Sequence, residues 1–255
     1  MRAARGWWSR LAGAAVGLFL VPALGLALLT ATVPAVAAGN LLQPFAASGS
    51  VPAAPWHVVG LPGQKKPFTR FSVVDLDGKR ALRVDAEESY GNLVFLLPPD
   101  QRPERLSWRW RVDQLNTAAD LRTREGDDTT LKVCTLWDQA LEQVPFVERQ
   151  ILKIARTKTA EPIPAATVCY VWDANLAEGT ELHSPFTHRL RYVVLRSGER
   201  GHQWSTEKRD IAADFMRLFG DEVKELPPLL GVAVGADSDN THTKSVGHVA
   251  GVVLE

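Results

Sequence analysis

The segment 105–112 (RLSWRWRV) constrains the fold more than any other. Leu106, Trp108, Trp110 and Val112 fall at alternate positions, with Arg105, Ser107, Arg109 and Arg111 between them. Side chains alternating in this way point to opposite faces of a strand. One face is apolar and one polar, which is the mark of an antiparallel sheet packed on a core on one side and wetted on the other. The rest of the chain keeps the same rhythm. Short segments at 56–59, 68–75, 79–85, 91–97, 129–137, 166–172, 189–196, 230–235 and 248–254 are separated by turn residues at the spacing of an all-β domain. Asp77-Gly78 joins the second and third of these as a tight-hairpin pair.

Two segments break the rhythm. Within 144–158, Val147, Ile151 and Ile154 recur at i, i+4 and i+7, one face of a helix. Within 210–220, Asp210 is a good N-cap, Ile211, Phe215 and Leu218 form an apolar stripe, and Gly220 is a good stop. About ten strands with two short connecting helices predict an all-β, jelly-roll-like β-sandwich, one domain over 56–255. Residues 38–55 are small, Pro-containing and unpatterned, and read as a linker or loosely held N-terminal arm.

The compartment is read from the start of the chain. Arg2, Arg5 and Arg10 accompany an uncharged apolar run over 11–29, and Ala35-Val36-Ala37 has the small-x-small pattern of a signal-peptidase site. Residues 1–37 therefore read as a signal peptide, and the mature protein as periplasmic or secreted; a retained membrane anchor is the alternative. No later stretch is apolar for long enough to span a bilayer, so no membrane span is expected after leader removal. The whole chain balances 29 basic against 29 acidic side chains, and losing the three leader arginines leaves 26 against 29. That is no electrostatic footprint for nucleic acid, which is excluded as a partner.

No Gly-rich phosphate loop, GxGxxG, HExxH, GxSxG or CxxC occurs. The candidates for chemistry are three acidic segments. Asp237, Asp239 and Thr241 present oxygens at alternate positions between two strands, as a loop wrapping a hard cation does, which makes calcium a candidate cofactor. The EF-hand pattern fails, because His242 and His248 stand where Gly and Glu belong. A polar turn and a metal-free ligand loop that includes Asn240 are the alternatives. Asp127 and Asp128 precede a strand, either as a cap or as a carboxylate pair on the rim of a sheet. Trp204, Glu207, Arg209, Asp210 and Asp214 lead into the second helix; Glu207 and Arg209 beside the Asp237 loop would form a polar network lining a pocket. Glycoside cleavage needs two carboxylates, and Glu207, Asp214, Asp237 and Asp239 are the candidates.

Trp108, Trp110, Tyr170 and Trp172 share faces with aliphatic residues and read as core, whereas Trp56 and Trp204, next to polar loops, are better platforms for a sugar ring. Arg109, Arg111, Lys132 and Arg191 hold alternate strand positions, either as solvated outer faces or, if those faces coincide, as a basic surface for an acidic saccharide. Cys134 and Cys169 both lie inside strand segments and form one disulfide if those strands are neighbours, or two buried thiols if they are not.

In order along the chain, WRWRV at 108–112, Gly126 with Asp127 and Asp128, YVW at 170–172, Trp204 with Glu207, Arg209, Asp210 and Asp214, then Phe219-Gly220 and Asp237 to Thr241 resemble a family. It is the bacterial exported family of unknown function numbered three-zero-four-seven, and the resemblance covers about 56–254. It implies an exported single-domain β-sandwich without an established activity, similar to carbohydrate-binding modules. Lys132-Val133-Cys134 and Cys169 depart from the family pattern, and two cysteines replacing residues on these strands favour a bridge peculiar to this protein.

Together these readings point to a module binding a glycan or cell-envelope polysaccharide at the Asp237–Thr241 loop, Asp127 and Asp128, and the Glu207–Asp214 segment. A polysaccharide hydrolase or lyase using a carboxylate pair is the first alternative. A structural or partner-binding envelope protein is the second, and it would expose an apolar patch in place of a polar cleft.

Overall fold

A computed structural model describes residues 39–255; the expected leader lies outside the described residues. Among the described residues there are twelve strands: β1 (His57–Val59), β2 (Arg70–Leu76), β3 (Lys79–Glu87), β4 (Tyr90–Leu96), β5 (Arg105–Gln114), β6 (Leu131–Trp137), β7 (Ala166–Asp173), β8 (Glu181–Ser184), β9 (Thr187–Ser197), β10 (Ser205–Asp210), β11 (Leu229–Asp237) and β12 (Lys244–Leu254). They form a seven-stranded sheet in the order β1-β4-β11-β6-β7-β9-β8 and a five-stranded sheet in the order β10-β5-β12-β3-β2. Neighbours are antiparallel except β7 and β9. Helix α1 (Phe146–Arg156) connects β6 to β7, and α2 (Ile211–Phe219) connects β10 to β11. This is a jelly-roll-like sandwich with two short helices. Among the described residues no helix is long and apolar enough to cross a membrane.

The alternation of β5 decides how the sheets meet. Trp108 and Trp110 point inward and touch β7 across the core, Trp108 at 5.3 Å from Tyr170 and Trp110 at 5.6 Å from Trp172 between ring centres. Trp137 continues the layer onto Phe215 and Phe219 of α2. The Asp210 side chain caps α2 by accepting from the Ala213 N–H. Asp77 and Gly78, both at positive φ, turn β2 into β3 as the sequence predicts.

Three expectations are corrected. Two strands were not anticipated, β8 and β10. The sequence of β10 (STEKRD) is polar because it is an edge strand that buries only Glu207, yet it pairs in full register with β5. Residues 39–55 are not a loose arm: Leu42, Phe45 and Ala46 are buried, the Leu41 N–H donates to the Leu254 carbonyl, and Trp56 packs between Phe45 and Phe95. These anchors are isolated positions, so they leave no periodic trace. In α1 the stripe Val147, Ile151 and Ile154 is exposed, and Leu152 is the residue that packs inward.

Cys134 and Cys169 are directly opposed on β6 and β7 and are joined by a disulfide. The bridge spans 35 positions of sequence, and closing a loop of that size in the unfolded chain stabilises the fold by about 3–4 kcal/mol. Replacing both by alanine is expected to lower the thermal midpoint by roughly 10 °C, measured by calorimetry without reductant. An unchanged midpoint would show that the bridge contributes nothing to stability.

Candidate functional site

The two outer faces of the sandwich differ in kind. On the five-stranded sheet, Arg70, Arg83 and Arg111 pair with Asp85, Glu87, Asp77 and Asp113, a charged lattice of the sort a solvated face carries. On the seven-stranded sheet the outward positions are largely apolar. One register row across it reads Leu96, Gly231, Leu136, Thr167 and Leu190; the next reads Val94, Ala233, Cys134, Cys169 and Tyr192. This face forms the floor of a trough. One wall is the segment after β1, with Leu61 and Pro62, and the other is the segment before β7, with Ile163 and Pro164. The trough consists of two adjoining hollows of about 240 Å³ and 510 Å³.

One end of the trough is polar. Asp237, the last residue of β11, is buried and accepts from Lys132 Nζ at 2.7 Å and from the Thr129 N–H at 2.6 Å, with the Thr129 hydroxyl as a further donor. Burial acts to depress the Lys132 pKa, but the Asp237 carboxylate overrides it and raises the ammonium above its usual range. The ammonium also lies 5.3 Å from the centre of the Tyr90 ring. Asp127 accepts from Ser184 Oγ at 2.7 Å and from Tyr192 OH at 2.9 Å. Burial raises its pKa above the usual carboxylate range, and the nearby Asp237 charge adds to this. Asp239 lies at the wall, held to the 60–68 segment through its backbone carbonyl, which accepts from Lys66 Nζ at 2.7 Å. Its carboxyl is also raised, by burial first and by Asp237 second.

Of the expected site residues, Asp127, Asp237, Asp239 and Asn240 converge on this end of the trough. Asp128 and Thr241 lie beneath it as a turn lock: Asp128 accepts from the Thr241 hydroxyl at 2.6 Å and from its N–H at 2.7 Å. Of the Asp237, Asp239 and Thr241 oxygens expected to face a cation, those of Asp237 face Lys132 and that of Thr241 is bonded to Asp128. Among the described residues no group of three or more His, Cys, Asp or Glu side chains is arranged to hold a metal.

The Glu207–Asp214 segment does not join them. Glu207 accepts from Trp110 Nε1 at 2.9 Å and from Arg196 at 2.7 Å, and Asp214 accepts from Tyr170, Arg209 and Arg217. Glu207 ties β10 to the core indole of Trp110 and to Arg196 of β9, and Asp214 ties α2 to Tyr170. Trp204 packs on the opposite outer face, donating to Asp77 at 3.0 Å, and Trp56 is core. Arg109 and Arg111 likewise belong to the five-stranded sheet and do not share a surface with Lys132.

Sequence reasoning missed Tyr90, Tyr192 and the small outward positions of β11. The latter had a signal: Gly231, Ala233 and Gly235 alternate with the inward Val232, Val234 and Ala236. A Cβ added at Gly231 would strike the Phe95 carbonyl, so β11 runs against β4 as a bare backbone floor.

A family model described as protein of unknown function (DUF3047) matches residues 54–253. The chain belongs to this family. The match spans every strand from β1 to β11 and nearly all of β12, and so the whole trough floor. No curated protein matches this member. Eight chains of solved structures do. One is the X-ray crystal structure of the Trichoderma harzianum endoglucanase 3 from family GH12, 9% identical, with a TM-score of 0.39 over 80% of this chain and 99% of that one.

The two acidic networks of this DUF3047 protein predict opposite pH behaviour. Asp127 has a raised native pKa, so its stabilising contribution is complete below the unfolded value of 3.8 and lost as pH rises through the native one. Burial also acts to raise Asp214, but hydrogen bonds from Arg209 and Arg217 prevail and lower it; its contribution is present above 3.8 and lost as pH falls through the native value. Denaturant unfolding from about pH 3 to neutrality should therefore show Asp127→Asn gaining stability relative to the parent as pH rises, and Asp214→Asn losing it. Parallel curves would contradict the assignment.

Proposed function

We propose that the protein is an exported binding module that holds a glycan or cell-envelope polysaccharide by the polar end of the trough. The observation that supports this most is the convergence of a phenol, an ammonium, a carboxyl and an amide, from Tyr90, Lys132, Asp239 and Asn240, on one end of a mostly apolar cleft. A few converging polar groups in a mostly apolar concavity are the usual form of a small-ligand site. Mixed donors and acceptors of this kind suit hydroxyl-rich ligands better than a single charge. Calcium has no part in this reading, because Lys132 supplies the positive charge opposite Asp237. Export agrees with the leader-like start of the chain and with the Cys134–Cys169 bridge, since disulfides persist in oxidising compartments. The carboxylate-pair reading loses Glu207, whose oxygens are bound to Trp110 and Arg196.

A glycan panel probed with the purified protein tests the proposal. A bound glycan should lose about tenfold or more in affinity in Asp239→Asn and in Asn240→Ala, the effect of removing a hydrogen bond that involves a charged or buried partner. Absence of binding across the panel, or binding indifferent to both substitutions, would overturn it.

A further inference from the structure

The polar end accounts for only part of the trough. The remainder runs mainly over Val94, Leu96, Cys134, Leu136, Cys169 and Leu190, with Thr167 as the one hydroxyl among these floor rows and Thr159 and Glu161 on the wall. A bare polysaccharide would leave most of its hydroxyls without partners there, at a cost for each one desolvated. Nor is there a tryptophan on this floor for a sugar ring to stack on: Trp108, Trp110, Trp137 and Trp172 are buried between the sheets. The mouth is also apolar. Leu61 on one wall is 51% exposed, and Ile151 of α1 and Phe186 of the β8–β9 turn on the other are 56% and 55% exposed. Large apolar side chains grouped at the lip of a cleft mark an interaction site.

We propose that this stretch holds the hydrocarbon chain of an amphiphile whose hydroxyl-bearing head sits at the Tyr90–Asp239 end, a deepening that rests on the reading of that end given above. The dimensions suit a single extended chain. Strands lie about 4.8 Å apart, so the floor from β4 to β9 is roughly 19 Å wide, and from the Lys132 row to the Leu136 row it extends roughly 13 Å along the strands, away from the polar end. Gly231 and Ala233 of β11 carry no bulk on this floor, and the disulfide sulfurs of β6 and β7 pave the strands beside it with a soft apolar surface. Polar groups gather at one end, and Thr167 is the one hydroxyl in the apolar rows of the floor, which specifies the orientation.

Calorimetric titration of the purified protein with dodecyl maltoside, octyl maltoside, maltose and laurate, the detergents below their micellar concentrations, tests this. Dodecyl maltoside is expected to bind roughly a hundredfold more tightly than octyl maltoside, the effect of burying about four further methylenes. Ala233→Leu, which fills the floor, should weaken it by tenfold or more, with Leu136→Gln as a second variant should the first fail to fold. Equal affinity for maltose and dodecyl maltoside would overturn the hydrocarbon site while leaving the polar-end reading intact. Equal affinity for laurate and dodecyl maltoside, unmoved by Asp239→Asn, would uphold the hydrocarbon site and overturn the polar-end reading. No binding of any dodecyl probe would overturn the inference.

Discussion

The contact of Trp108 and Trp110 with Tyr170 and Trp172 is the interaction on which the rest of the molecule depends. It commits the inward faces of β5 and β7, and because strand side chains alternate strictly, it commits the outward faces as well. With Tyr170 and Trp172 inside, Thr167 and Cys169 must face out; Cys169 then meets Cys134 across the β6–β7 ladder, and Lys132 and Leu136 follow it outward. A slip of one residue would bury Lys132 between the sheets and expose the indoles. The trough floor is thus the necessary reverse side of the aromatic core.

The two sheets use their outer faces differently. The charged lattice of the five-stranded sheet needs nothing beyond water, and its exposed pairs are individually worth little. The apolar face of the seven-stranded sheet is covered in part by the chain itself, through the segments that carry Leu61 and Ile163 and through the His57–Glu161 contact at 3.2 Å that joins the two sides. What these segments leave uncovered is a cleft and not a flat surface. The exposed stripe of α1 extends the same apolar character beyond the rim.

Legibility in the sequence followed how local each feature is. The period-two strand at 105–112, the Asp77-Gly78 turn and the capped α2 are set by neighbouring residues and were readable. The edge strand β10 was not, because its polar residues pair through backbone groups and only Glu207 turns inward. The three acidic segments were recognised individually, but their partition was not. Asp127 and Asp237 meet across 110 positions of chain only because β11 lies against β6, a fact of sheet order that no local pattern encodes. Lys132 looked like one more solvated cation on an alternating strand. Its burial depends on the walls contributed by distant loops.

The two buried acidic networks are held in different ways. Asp214 and Glu207 are each bound by arginines and by core aromatics, and their positions are explained fully by holding α2 and β10 to the sandwich. The Lys132–Asp237 pair is explained in this way only on one side, where Asp237 accepts from the Thr129 N–H and hydroxyl. Both side chains are 5% exposed, and taking two charges out of water costs about as much as their attraction returns, so an apolar pair of equal volume would serve packing as well or better. A charged pair kept at the end of an apolar trough instead prepares a local field. Once a ligand covers the apolar floor and displaces water, every hydrogen bond made at the Tyr90–Asp239 end is strengthened by the lower dielectric around it. In the proposed mode of binding the two parts of the trough act together: the apolar part, when filled, raises the selectivity of the polar part.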